Sequence, residues 1–108
     1  MFTKLLRGAP FATTTSHATS AVASVAGVTG SVHYITDISG SSDKAGSLLT
    51  VKQGTTVIWE LQLAATAAGN LAYSHSFQAP LIAVAGELVS VTVDGTSVCK
   101  ANIAGYTV

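Results

Sequence analysis

Between residues 55 and 64 the chain alternates cleanly, with Val57, Trp59, Leu61 and Leu63 on one side and Thr56, Ile58, Glu60 and Gln62 on the other. A period of two is the mark of a half-buried strand, because successive side chains leave a strand on opposite faces. The set containing Trp59 is therefore expected to form the centre of a core. Similar short runs recur, each closed by Gly, Ser, Asn or Asp. They cover residues 19–25, 31–39, 47–52, 71–78, 87–93 and 97–108. Gln53-Gly54 joins two of them as a hairpin, and Asp94-Gly95 is a second turn signal. Leu71, Tyr73, His75 and Phe77 share a face, as do Val89, Val91 and Val93. Pro80 confines its strand to an edge, with a short segment at 81–84 beyond it. Residues 40–46 read as a loop, and Gly105 permits a bulge near the last strand's end. The small-residue stretch 64–70 is too short for a substantial helix. The pattern predicts seven or eight short strands in an all-β antiparallel sandwich, with a jelly roll as first choice.

Charge is the second constraint. The 108 residues hold five Lys or Arg and five Asp or Glu, 9 % of the chain, while 48 % are hydrophobic and the mean hydropathy is +0.50. A soluble monomer carries about a quarter charged residues, which keep it dispersed. No run approaches the roughly 18 apolar residues that cross a bilayer, so a membrane does not account for the shortfall. Coverage of the surface by other protein chains does. The balanced charge also argues against nucleic acid as a partner, which calls for a basic field.

Residues 1–16 differ from the rest. Phe2, Leu5, Leu6 and Phe11 are scattered around Gly8 and Pro10, with Lys4 and Arg7 as the only charges. No apolar run follows Arg7, so a secretion signal is not expected. The reading is an extended N-terminal arm, residues 1–16, ahead of a sandwich domain, residues 17–108. A plain solvated tail has little use for such large apolar side chains; an arm that docks on a neighbour does.

Candidate chemistry is sparse. His17, His33 and His75 are widely spaced, without the close ligand pairs of a zinc site. Asp37 and Asp43 flank the expected loop, but a calcium site needs more oxygen ligands. There is no G-x-S-x-G elbow and no phosphate loop. Cys99, the single cysteine, reads as a small buried hydrophobe. Trp59, Tyr34, Tyr73 and Tyr106 are candidates for a sugar platform, with Trp59 assigned to the core instead. No enzyme activity, cofactor or metal is expected.

The segments Gly30-Ser31-Val32-His33-Tyr34-Ile35-Thr36-Asp37-Ile38-Ser39, the hairpin Lys52-Gln53-Gly54-Thr55-Thr56-Val57-Ile58-Trp59, Phe77-Gln78-Ala79-Pro80-Leu81 and the closing Asn102-Ile103-Ala104-Gly105-Tyr106 carry a resemblance. In pattern the chain resembles small jelly-roll head-decoration (cement) or head-fibre proteins of tailed bacteriophages. The resemblance implies a virion protein made in the host cytoplasm. It implies a homotrimer on the capsid exterior that binds the major capsid protein and stabilises contacts between its subunits. Phe2, Lys4, Leu5, Leu6, Arg7 and Phe11 are then candidates for the capsid-contact arm. The alternatives are a fibre or spike module that binds a host glycan, and a connector or tail subunit.

Overall fold

The computed structural model describes residues 9–17, 19–63, 71–95 and 98–108. Eight strands are present: β1 (Ala9–His17), β2 (Ser20–Val25), β3 (His33–Ser42), β4 (Leu48–Gln53), β5 (Thr56–Gln62), β6 (Leu71–Ile82), β7 (Val89–Asp94) and β8 (Cys99–Thr107). They form two four-stranded antiparallel sheets, ordered β1-β8-β3-β6 and β2-β7-β4-β5. Consecutive strands pass from one sheet to the other except across the β4–β5 hairpin. That interleaved order is the double Greek key of a jelly roll, and it bears out the expected fold class.

The core lies between the sheets, where the inward rows of each meet. Ile35, Ile38, Cys99, Ala101 and Ile103 come from the first sheet, and Ala21, Ala23, Leu49, Val51, Val89, Val91 and Val93 from the second. The Val89–Val91–Val93 set is where the sequence put it. Each fully buried Val, Leu or Ile contributes about 1.5–3 kcal/mol from area removed from water.

The set chosen as the core's centre needs correction. Leu63 is buried, Trp59 and Leu61 are half-buried, and Val57 is 48 % exposed. Two causes combine. β5 is the outer strand of its sheet, so its inner face has a neighbour on one side only. The register also jumps, from Val51↔Trp59 to Lys52↔Val57, leaving Ile58 as a bulge. A bulge reverses the alternation beyond it, so Val57 turns outward opposite Lys52 while Ile58 packs toward the core.

β3 carries a second bulge, at Thr36, where the register moves from Ile35↔Gly105 to Asp37↔Ala104. It returns Ile38 to the face of His33 and Ile35, not that of Tyr34. The expected loop at 40–46 is also shorter, since β3 runs on to Ser42. Gly40 permits this: a Cβ there would sit 2.6 Å from Val93 Cγ2 and 3.0 Å from Leu49 Cδ1. Its missing side chain lets the two sheets close over the end of β3.

The arm boundary moves too. Residues 9–16, assigned to an extended arm, lie in β1, paired with β8 from Ala9↔Thr107 to His17↔Cys99. Thr13, Thr14 and Thr15 are β-branched strand formers. Phe11 packs on the core over Gly105 and meets the His33 ring edge-on at 5.5 Å. Phe11 is thus a sandwich residue and not an arm anchor. Phe2, Lys4, Leu5, Leu6 and Arg7 lie outside the described residues.

Candidate functional site

The residues weighed for metal or catalytic chemistry are dispersed. His33, 2 % exposed, is locked between two partners: one ring nitrogen, Nε2, donates to the Ala26 carbonyl at 2.8 Å, and Nδ1 lies 2.7 Å from Thr107 Oγ1. His75 belongs to an inter-sheet aromatic group with Trp59 (5.3 Å), Phe77 (4.6 Å) and Tyr73 (6.1 Å). This group closes the open side of the sandwich between β5 and β6, so Trp59 and Tyr73 serve packing. Asp37 and Asp43 are six residues apart along and just beyond β3, roughly 20 Å at strand rise. They do not share an ion. Among the described residues no group of three His, Cys, Asp or Glu is placed to hold a metal. Cys99 is fully buried, and desolvation pushes its thiol up from the ordinary value.

The two ends of the sandwich contrast. At one end Asp94 organises the turns. Its carboxylate accepts from Lys44 Nζ at 2.8 Å and from the Leu48 N–H at 3.0 Å, with the Ser47 hydroxyl 2.8 Å away. Its carbonyl accepts from Ser42 Oγ at 2.6 Å. The Lys44 ammonium, with Ser47 and Leu48 assisting against partial burial, lowers the Asp94 carboxyl from 3.8 to about 2. Asp94 was read as a turn residue, and here it is the turn's polar centre.

The opposite end is apolar. It collects the segments after β2 and β6, the β4–β5 turn and the segment after β8. Backbone bonds tie them together: Gly86 N–H to Ser31 O (2.8 Å), Gly54 N–H to Leu88 O (2.7 Å), and Val32 with Val108 in both directions (2.9 Å). The Val84 N–H also donates to Gln53 Oε1 at 3.0 Å. Held by these bonds, Val28, Val57, Ile82, Val84, Leu88 and Val108 all present large side chains to solvent. Scattered exposed aliphatics are ordinary, but six gathered at one end of the sandwich make that end the candidate interaction site. Ala9, at the start of β1, is paired to Thr107 at this same end.

A second surface is the outer face of the sheet β1-β8-β3-β6. Register places Pro10, Tyr106, Tyr34 and Ile82 in one row across all four strands. Tyr34 and Tyr106 stack with centroids 5.0 Å apart and planes within 7°. Further rows carry Ala12, Ala104, Asp37 and Ser76, then Thr14, Asn102, Ser39 and Ser74. Asn102 Nδ2 donates to Ser39 Oγ at 2.8 Å. Asp37 accepts from Ser76 and from Thr36, and these bonds hold its carboxyl below the usual range.

Neither surface was singled out from the sequence. Leu88 alternates against the Val89 row and its outward direction was legible, but Val28, Ile82 and Val84 stand in segments of low regularity, where spacing does not tell inward from outward. The outer-face row was obscured by the bulge at Thr36. A signal was nonetheless present in the tyrosines, which the sequence offered as a platform without showing that two of them pair.

No family model matches the sequence, and no curated protein matches it. Among solved structures the chain is similar to the cryo-EM structure of the giant freshwater prawn Macrobrachium rosenbergii extra small virus (XSV) VLP. Identity is 12 %, 89 % of this chain and 77 % of that chain are covered, and the TM-score is 0.39.

Proposed function

We propose that the chain is a structural virion protein: a jelly-roll subunit that binds the outside of an icosahedral phage head as a homotrimer and braces contacts between capsid subunits. The observation that carries this reading is the apolar end. Six large aliphatic side chains are exposed there, four outside the strands and two, Val57 and Ile82, near the ends of β5 and β6, in a chain with 9 % charged residues. Such an end costs solubility unless another protein covers it. The jelly roll is an architecture used in capsid shells, and this supports the reading without deciding it. Ala9 begins β1 at this end, and Phe2, Leu5 and Leu6, ahead of it in the sequence, are assigned to the same contact. Attachment through three copies multiplies weak contacts, because the second and third bind at high effective concentration.

Light scattering gives the first test: the full chain is expected near three times its 10.9 kDa mass. The second is co-sedimentation with heads assembled in its absence. Saturable binding is expected, lost in the Val84→Lys, Leu88→Lys double variant and reduced when residues 2–7 are deleted. That deletion leaves β1, from Ala9, whole. A monomer that fails to bind heads would overturn the proposal.

A further inference from the structure

The outer face of β1-β8-β3-β6 differs in character from the apolar end. Two depressions indent it, of about 280 and 360 Å³, and they adjoin through Ser39, Ser74 and Asn102. Each approaches the size of a small-ligand site. Asp37 lies in the first depression and Lys100 in the second. Between them the floor is hydroxyl and amide. One row along the strands from Asp37, roughly 7 Å away, stands the stacked Tyr34–Tyr106 pair.

From this arrangement we infer that the face binds a neutral oligosaccharide, with the tyrosine pair as an apolar wall at its margin and Asp37, Asn102 and the serines as hydrogen-bonding partners. The chemistry of each part fits. A sugar ring offers an apolar face of C–H groups and an edge of hydroxyls that both donate and accept. Tyrosine supplies a flat apolar surface. Asp37, ionised at neutral pH, accepts from a hydroxyl, and Asn102 offers donor and acceptor side by side. The serine hydroxyls turn to suit either role. A nucleic acid would need a basic surface, and the two depressions are lined by one base, Lys100, and one acid, Asp37. A fatty or lipid ligand would cover the Asp37 carboxylate and the Asn102 amide without offering either a hydrogen bond in place of water. The inference does not depend on attachment to a capsid, because it uses none of the six aliphatics except Ile82, at the row's margin.

The test is NMR titration of the full, ¹⁵N-labelled chain with maltopentaose, cellopentaose and N-acetylchitotetraose, each to about 10 mM. A shallow site of this kind has a dissociation constant on the order of 1 mM. At least one sugar is expected to shift the amides of Asp37, Ser39, Ser74 and Asn102 together. Asp37→Asn and Tyr34→Ala are each expected to weaken that binding about tenfold. Their spectra outside the face should stay unchanged, which separates lost binding from lost folding. Tyr34→Phe, which keeps the ring, should bind within about twofold of the parent chain. If no sugar moves these amides, or if shifts survive both weakening variants, the inference is wrong. Shifts that follow protein concentration instead of sugar would also overturn it, by assigning the face to a second copy of the chain. Failure here leaves head binding untouched, since that assay reads Val84 and Leu88, which the sugar titration does not use.

Discussion

Gly40→Ala tests whether the sheets close over β3 as described. Gly40 has no positive φ, so its backbone accepts an alanine without strain. Space is the obstacle. The new methyl would stand 2.6 Å from Val93 Cγ2, 3.0 Å from Leu49 Cδ1 and 3.2 Å from the Lys100 carbonyl oxygen. Val93 and Leu49 are both fully buried, and Val93 is β-branched, with little rotamer freedom to yield. Overpacking of this kind costs about 1–3 kcal/mol. Removing a glycine from a strand returns roughly 0.5–1 kcal/mol by restricting the unfolded chain. The net expectation is a loss of about 1–2 kcal/mol. In urea, with a slope of about 1–1.5 kcal/mol/M for a chain of this size, the midpoint should fall by about 1 M. Val93→Ala removes the methyl in the way, so the double variant should be more stable than the two single losses predict, by about 1 kcal/mol. A Gly40→Ala chain as stable as the parent, or a double variant whose losses simply add, would refute the packing argument.

Other substitutions probe separate parts of the sandwich. Leu49→Ala should cost about 2–5 kcal/mol by opening a cavity between the sheets, while Val57→Ala should stay within about 0.5 kcal/mol; urea denaturation of the pair checks the corrected core. Asp94 titrates lower when folded than the ordinary 3.8, at about 2, so its ionised form favours the fold above about pH 4 and that contribution drains away as pH falls toward 2. The full shift corresponds to about 2 kcal/mol, but Lys44 and Asp94 are 47 % and 40 % exposed, and screening reduces it to about 1 kcal/mol. Thermal melts of Asp94→Asn should therefore show a flatter acid limb than the parent between pH 4 and 2. Cys99, buried with its thiol pushed up, should react with a maleimide or disulfide reagent only as fast as the chain opens, and mild denaturant should accelerate the reaction sharply.

Much of the architecture was legible because it rests on turn chemistry and alternation. The hairpin at Gln53-Gly54, the buried Val89–Val91–Val93 row and the shared face of Tyr73, His75 and Phe77 all follow from a period of two between turn signals. What escaped has a common physical cause. Thr36 and Ile58 each form a bulge, yet neither is a glycine or proline, so nothing local marks the inserted residue. One unmarked insertion exchanges the faces of every residue beyond it. That is how Val57 came to be assigned inward. Gly40 misled in the opposite way: a residue that usually ends a strand is there because two sheets meet. The candidate surfaces were less legible still, since they depend on which strands become neighbours. Tyr34 and Tyr106 stand far apart in the chain, and only the β3–β8 register brings their rings together.

The His33 bridge bears on when in the molecule's life its apolar end comes into being. The ring ties Ala26, near the chain's start, to Thr107, near its finish, and Val32 is likewise bonded to Val108. Closing so long a loop is entropically costly and comes late. During synthesis the earlier turns therefore wait for β8 before they can take up the arrangement that gathers the aliphatics. Until β8 docks there is no finished adhesive tip to offer neighbouring chains, so stickiness is withheld until the sandwich closes.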